Sequence, residues 1–457
     1  MQKTERRFTK LFQRALEAQN NGSDAKAQHL YKQALRIQES PAIYANMGLA
    51  AYKRGYPRRA EQLYRRAIKL DPRCDVALSN LGAVLAERGE KAEAAELYAK
   101  SASIKPTATV LANLADLYAQ EEHYDEAMGF LLKALELDPL HPQALCNAAM
   151  VAWSQNEWGV AVSAARRAIE VGAPPMARVN LGLLLMTVGE YQEGFKEYAW
   201  RFMAGNIMMR GPETMPIWKG RQHVPGSLYV WPERGLGDEM LYIGAVNATA
   251  QRADHVIWEC EPRLVSLFQR SAPDNVTVVP FTGKPPKATA QIPAGCLMQM
   301  FQPNVPRETY LRADPERVAA YRAMMPEGKR VVGISWMSKN PQFGAKKSLE
   351  IADFQSFIED DMSHCVSLQY GDGVDHGPLH LIPDLDLTRD IDGVAALISA
   401  CDVVVTASNT VAHLAGALGV PCIVMVSQAG GKLWYWGTEN ETIWYRSVVV
   451  QRFERVS

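Results

Sequence analysis

Residues 403–426 read VVVTASNTVAHLAGALGVPCIVMV. A β-branched apolar run, Val403–Val405, stops at a small polar cluster, Thr406-Ala407-Ser408-Asn409-Thr410. An Ala/Leu-rich stretch containing His413 follows, then Gly419, Pro421 and a second apolar run. Strand, turn, helix and strand in that order make a parallel βαβ unit. Its turn lies at the carboxyl end of a strand, where open α/β sheets bind ligands. The backbone N–H groups that open a helix, set beside hydroxyl side chains, suit an anion such as a diphosphate. Ser, Asn and Thr are equally the preferred helix caps, so the same residues also fit an N-capped core helix.

Working outward, apolar runs alternate with helical stretches from about residue 227 onward. Ser227–Trp231, Val256–Cys260 and Val276–Phe281 read as strands of one sheet, with helices at Glu239–Ala253 and Pro262–Arg270 between them. A Pro-rich link, Gly283–Pro293, and a helix near Pro315–Met325 lead to a second set of strands: Arg330–Trp336, Cys365–Gln369, Val403–Thr406 and Cys422–Val426. Alternating strands and helices imply parallel sheets with both faces covered. Two such sets imply two Rossmann-like lobes with a cleft between them. A second polar strand end is Trp231-Pro232-Glu233-Arg234-Gly235-Leu236-Gly237-Asp238-Glu239, where Gly235 and Gly237 let the backbone turn tightly and Asp238 opens a helix. A third is Ser335-Trp336-Met337-Ser338-Lys339 with Lys346-Lys347-Ser348 beyond it, lysines suited to neutralising phosphate or simply solvated.

Upstream, from about residue 8 to 205, the rhythm changes. Small residues stand at Ala15, Gly48, Gly82, Ala115, Ala149 and Gly182, 33 or 34 residues apart. Twelve positions after each comes another, Ala27, Ala60, Ala94, Ala127, Ala161 and Gly194; seven further on stand Ala34, Ala67, Ser101, Ala134 and Ala168, and only Arg201 breaks the set. Such spacing puts the smallest side chains where antiparallel helices pack closest. Asp71-Pro72, Lys105-Pro106 and Asp138-Pro139 end the second helices, since proline cannot continue them. Period and residue classes resemble the tetratricopeptide repeat, in about six copies. Stacked helix pairs form a superhelix whose concave face holds a peptide or protein segment; a spacer or a self-association surface is the other use, and homo-oligomer formation stays open. Asn46, Asn80, Asn113, Asn147 and Asn180 recur two positions before the small residue, and in that repeat family such asparagines hold a bound peptide backbone.

Composition narrows the function classes. A chain of 457 residues holds two or three domains with real cores, and a net charge of −1 supplies no basic field for nucleic acid. The N-terminal stretch has no apolar core of a secretory signal, and no run is long enough to span a membrane. Seven scattered cysteines with no CxxC pair suit reduced thiols, and the expected location is cytoplasmic.

The segments PERGLGDEM, VVGISWMSKN with KKSLEI, VSLQYGD, DIDGVAALISACDVVVTASNTVAHLAGALGVP and WYWG with WYRSV occur in that order. Together they resemble bacterial tetratricopeptide-repeat proteins with a glycosyltransferase-like C-terminal domain, similar to the heptosyltransferases and, distantly, to protein O-GlcNAc transferases. The resemblance implies a helical superhelix at 1–205, a connector at 206–226, and a GT-B fold of two Rossmann-like lobes, acceptor-side at 227–325 and nucleotide-sugar-side at 326–457. It further implies a metal-independent glycosyltransferase acting on a protein acceptor recruited by the repeats, with a flagellin-type acceptor as one expectation. Asp238 matches the heptosyltransferase general base; Ser408, Asn409 and Thr410 match the turn that holds the donor diphosphate. Lys346 and Lys347 lie where the family stabilises the leaving phosphate, and Gln369 and Tyr370, which end a donor-lobe strand, are expected to contact the base of the nucleotide. Heptosyltransferases carry an acidic residue where this chain has Ser408-Asn409, so the resemblance does not extend to a heptose donor.

Other residues carry two readings each. His413, one turn into its helix, either reaches the donor or packs. His376 and His380 have metal-like spacing but too few companions for a zinc site, so no metal and no resident cofactor is expected beyond the nucleotide-sugar co-substrate. Trp434-Tyr435-Trp436 reads as packing rather than a sugar platform. A catalytically inactive adaptor that binds protein partners through its repeats is the competing function. A lipid- or polysaccharide-directed transferase is a third, weakened because a small glycan needs no peptide groove.

Overall fold

The computed structural model describes residues 2–205, 210–212, 214–233, 235–301, 309–339, 344–371, 373–427 and 433–453, apart from the side chains of Gln2, Lys3, Asp24 and Lys346. The chain divides into two compact units, Met1–Ala173 and Pro174–Ser457.

The first unit is a ladder of antiparallel helix pairs: α1 (Gln2–Asn20) with α2 (Asp24–Leu35), α3 (Pro41–Lys53) with α4 (Pro57–Leu70), α5 (Asp75–Glu87) with α6 (Lys91–Ile104), α7 (Ala108–Gln120) with α8 (Tyr124–Leu137), and α9 (Pro142–Ser154) with α10 (Trp158–Glu170). The small residues sit where the pairs close on each other. A Cβ on Gly48 would lie 2.5 Å from the Tyr64 ring, and one on Gly82 would lie 2.9 Å from that of Tyr98. Ala60, Ala94, Ala127 and Ala161 are fully buried. Asp71, Lys105 and Asp138 end α4, α6 and α8 in extended conformation, which is what a following proline demands.

The second unit opens with a sixth helix pair, α11 (Pro175–Thr187) and α12 (Tyr191–Tyr198), closed by a single 3-10 turn at Ala199–Arg201. It then builds two parallel sheets. The first comprises β1 (Val224–Trp231), β2 (Ala253–Cys260), β3 (Val276–Pro280) and β4 (Ala290–Pro293) in the order β3-β2-β1-β4, with α13 (Leu236–Tyr242), α14 (Val246–Ala250), α15 (Val265–Ser271) and α16 (Ala294–Phe301). After α17 (Pro315–Ala323) comes the second, with β5 (Arg330–Ser335), β6 (Ser363–Ser367), β7 (Val403–Ala407), β8 (Cys422–Ser427) and β9 (Val448–Phe453) in the order β6-β5-β7-β8-β9. Its helices are α18 (Gly344–Lys347), α19 (Gln355–Ile358), α20 (Ile391–Ala400) and α21 (Thr410–Leu418). Gly419, at φ +73°, ends α21 in the left-handed region that a Cβ disfavours.

Two expectations from the sequence need correction. The stretch read as a Pro-rich link, 283–293, ends in β4, which pairs with β1; four residues reading Ala-Gln-Ile-Pro are too short and too mixed to announce a strand. The stretch read as one helix, Glu239–Ala253, is α13 and α14 joined by a 3-10 turn at Ile243–Ala245, and Ala253 already belongs to β2. The strand β9 was not anticipated either.

One hydrophobic core runs through this unit. Val179, Met186, Phe195 and Tyr198 of the helix pair share it with Leu228 and Trp258 of the first sheet, with Val404 and Val424 of the second, and with Trp434 and Trp444.

Candidate active site

A doubly wound sheet opens a crevice at the carboxyl ends of its strands where successive connections leave to opposite faces. The strand orders put that point between β1 and β4 in the first sheet and between β5 and β7 in the second. The loops leaving β1, β5 and β7 meet around one cavity of about 520 Å³. Gly235, Gly237 and Asp238 line it from the first sheet; Ser338, Lys339 and Lys347 follow β5; Ser408, Asn409, Thr410 and His413 follow β7. Tyr370, after β6, lines it as well. Of the residues singled out in the sequence, Gln369 is not among the lining groups, and the Lys346 side chain lies outside the described residues.

Each wall is built by local chemistry. Asn409 caps α21: its Oδ1 accepts from Val411 N at 2.9 Å, and its Nδ2 donates to Ser335 Oγ (2.9 Å) and the Met337 carbonyl (3.2 Å). Its amide therefore ties the β7 turn to the β5 strand end. Ser408 accepts a bond from Trp436 Nε1 at 2.8 Å, so the Trp434-Tyr435-Trp436 segment braces the turn, while Tyr435 reaches the cavity wall. Thr410 and Ser338 hydroxyls both bond the Tyr370 hydroxyl, whose pKa burial raises. Gln369 is 1% exposed and spends its amide internally. Its Oε1 accepts from Ser335 Oγ, Trp336 N and Met337 N at 3.1, 2.8 and 2.7 Å, and its Nε2 donates to the Tyr370 carbonyl. It positions the strand end rather than facing the cavity.

Charge is uneven across the cleft. Burial pushes the Lys347 ammonium down to about 8, against the opposing pull of the Asp238 carboxylate. His413 is buried, its Nδ1 is 2.9 Å from the Tyr445 hydroxyl, and its ring stacks on Trp436 with centroids 5.0 Å apart. Burial, with Lys347 nearby, pushes its pKa down to about 3, so the ring is neutral at physiological pH. Gly237 passes directly over it: a Cβ there would lie 2.8 Å from His413 Cδ2. That close approach is the reason for glycine, and α13 packs on α21 as a result. Next to Asp238, the Glu239 carboxyl is buried, accepts from Glu261 N at 2.9 Å, and is pushed up to about 8 by burial. Adjacent carboxyls thus face different surroundings, Asp238 the cavity and Glu239 the core.

Several groups were missed from the sequence. Arg263 lines the cavity from the first sheet, held by Glu261 Oε1 at 2.8 Å and by the Thr388 carbonyl at 2.7 Å. Arg270 makes a two-pronged pair with Asp392, both contacts 2.7 Å, so two arginines tie the first-sheet lobe to the second. These residues lie more than 120 positions apart in sequence, and no local pattern marks them. His376 Nδ1 is 2.8 Å from Ser367 Oγ and His380 packs on His364 with ring centroids 5.1 Å apart; among the described residues no group of three or more His, Cys, Asp or Glu could hold a metal ion.

The five repeat asparagines lie on the first helix of each pair, Asn46, Asn80, Asn113 and Asn147 on α3, α5, α7 and α9, and Asn180 on α11. All are half-buried. Asn46 donates to the Ala42 carbonyl of its own helix, whereas Asn147 Nδ2 donates to the Ala112 carbonyl of the previous pair's first helix at 3.1 Å and accepts from Gln143 at 2.7 Å. Asn113 bonds the Tyr98 hydroxyl. Part of their polar capacity therefore serves the array itself. Among the described residues no helix is long and apolar enough to cross a membrane.

Comparison with known proteins bears first on the helical part. Tetratricopeptide-repeat models match residues 45–109, 108–139 and 146–199. Protein FlbA of Caulobacter vibrioides is 25% identical, over 95% of this chain and 79% of its own length. Among solved structures, PilF of Pseudomonas aeruginosa is similar over 44% of this chain and 92% of its own, at 20% identity and a TM-score of 0.39. YrrB, described as a tetratricopeptide-repeat protein with an unusual peptide-binding site, is similar over 38% and 92% at 18% identity and a TM-score of 0.32. The chain thus carries tetratricopeptide repeats, followed by a parallel-sheet α/β region, and the repeats support a role in binding other proteins.

Proposed function

We propose that the α/β region is a GT-B-type glycosyltransferase that moves a sugar from a nucleotide donor to a protein acceptor recruited by the repeats. The observation that carries this reading is the cleft itself. Two doubly wound sheets turn their switch points toward one cavity, a carboxylate on one wall and a half-buried ammonium with a helix N-terminus on the other. In the reaction, Asp238 accepts the proton of an acceptor hydroxyl as its oxygen attacks the anomeric carbon. The bond from that carbon to the phosphate oxygen breaks, and the nucleotide leaves with the electron pair. Lys347 and the first turn of α21 stabilise the charge that develops on the leaving phosphate. Ser408 and Thr410 bring hydroxyls to the same turn, and neutral His413 keeps that wall from opposing Lys347 with a charge of its own. No resident cofactor or metal has a part in these steps.

Thermal stabilisation by UDP, GDP, ADP and CMP tests the donor half, because a ligand that binds only the folded chain raises stability by RT ln(1 + [L]/Kd). One nucleotide is expected to raise the melting temperature. Asp238→Asn should keep that shift and lose transfer from the matching nucleotide sugar. No shift with any of the four would leave the protein as a repeat adaptor whose α/β half has lost activity. Which protein is glycosylated is a separate question: a flagellin-type acceptor remains the expectation to try first, by incubating candidate proteins with labelled donor.

A further inference from the structure

The sixth helix pair departs from the other five at one position. Ala34, Ala67, Ser101, Ala134 and Ala168 are followed, in register, by Arg201. Arg201 is not at the surface. Its side chain is 2% exposed and meets Glu233, whose side chain is fully buried, through two contacts, Nε to Oε2 at 2.7 Å and a terminal nitrogen to Oε1 at 3.0 Å. The guanidinium also donates to the Tyr198 carbonyl and to Cys296 Sγ, and it lies over the Tyr198 and Phe202 rings. Glu233 follows the end of β1, five positions before Asp238 in sequence. Its Oε1 takes a further bond from Gly295 N at 2.8 Å, where a Cβ would lie 2.8 Å from the same oxygen. The carboxylate thus pins the end of β1 to the start of α16, across the switch point of the first sheet.

We propose that Arg201 is a positioning residue: through Glu233 it fixes the turn that carries Asp238, so one wall of the cleft depends on a side chain supplied by the last repeat. This rests on the glycosyl-transfer reading for its kinetic consequence but not for its structural one. A buried pair of opposite charges rarely outdoes an apolar pair of the same size in stability, whereas its fork geometry fixes orientation. The same helix pair reaches the opposite wall as well. Phe195 meets Trp434 and Tyr191 meets Trp444 edge-on, with centroids 5.6 and 5.5 Å apart, and Trp436 of that aromatic segment holds Ser408.

The test is amide hydrogen exchange on the full chain carrying Arg201→Lys, which keeps the charge and loses the fork. Exchange in residues 235–242 is expected to rise at least about tenfold while residues 410–418 stay protected, since local opening follows the lost contacts. Nucleotide-induced stabilisation with the UDP, GDP, ADP and CMP panel should be unchanged. With the matching nucleotide sugar, kcat should fall about a hundredfold at constant KM, the size expected for a displaced catalytic group. Unchanged exchange in residues 235–242 of a folded variant overturns the proposal. So does a loss of rate that appears wholly in KM. If Arg201→Lys does not fold, Arg201→Met with Glu233→Met removes both charges together; a loosened 235–242 segment supports the role and a rigid one overturns it. Should Asp238→Asn retain transfer, the assignment of the base fails, and the exchange result for Arg201 still stands or falls alone.

Discussion

Lys347 is where the chemistry of the cleft becomes measurable at a single residue. Its ammonium titrates near 8 because burial disfavours the charged form, and a bound phosphate would favour it again. Nucleotide affinity should therefore be flat below about pH 7 and decline as pH rises past about 8; Lys347→Arg should abolish that decline. Titration calorimetry across pH 6–9 reads both. The effect on folding has the opposite sign. With the folded pKa below the ordinary 10.5, the unfolded chain binds more protons between about 8 and 10.5, so this group's contribution to stability grows with pH across that window. Lys347→Met should weaken nucleotide binding about ten- to hundredfold, the worth of one charged hydrogen bond of about 1.5–3 kcal/mol. An unaltered affinity would mark it as a wall residue without a ligand.

At the scale of elements, the strand ends carry the site and Gln369 shows how. It gathers three donors from the end of β5 onto one oxygen. Gln369→Leu would leave them buried without an acceptor, at about 1–3 kcal/mol for each group that finds no other partner. A melting temperature lowered by several degrees, with nucleotide binding weakened in step, is the expected result. How much of this was legible in the sequence follows from how local each signal is. Asp238, Ser408 and Thr410 stood out because Gly and small hydroxyl residues clustered at a strand end mark a strand-to-helix turn, a pattern that an ordinary helix cap shares. Gln369 was visible as a strand end, but no local pattern reports that its amide is fully spent inside. Arg263 and Thr388 join the cleft from remote parts of the chain, and contacts of that range leave no periodicity. β4 was lost because a short strand beside Pro satisfies neither spacing rule, whereas the Val448–Val450 run of β9 carries the same signal as Val403–Val405 and was legible. Arg201 was visible only as an interruption, and an interruption says nothing of its partner.

For the whole molecule, the compact unit that holds the sheets begins at Pro174, ahead of the end of the repeats. A chain starting at Pro174 should fold and keep whatever nucleotide-induced stabilisation the full protein has, while losing whatever protein binding the first five pairs provide. A chain starting at residue 206 removes Phe195, Tyr198 and Arg201 from the shared core, uncovers Trp434 and Trp444, and leaves Glu233 buried without its arginine. Removing one member of a buried pair alone costs about 3–5 kcal/mol, which a unit of ordinary stability cannot easily absorb. Circular dichroism and thermal melts of the two fragments decide this; a stable, cooperative fragment from 206 onward would show the last pair to be dispensable.

Repeat proteins ordinarily gain and lose whole repeats, since each unit contacts only its neighbours. The arginine at the end of the sixth pair withdraws that pair from such freedom. Change in the length of the array, whether by duplication or by laboratory grafting of another recognition array, is confined to the pairs before Pro174, while the sixth must be inherited together with the sheets.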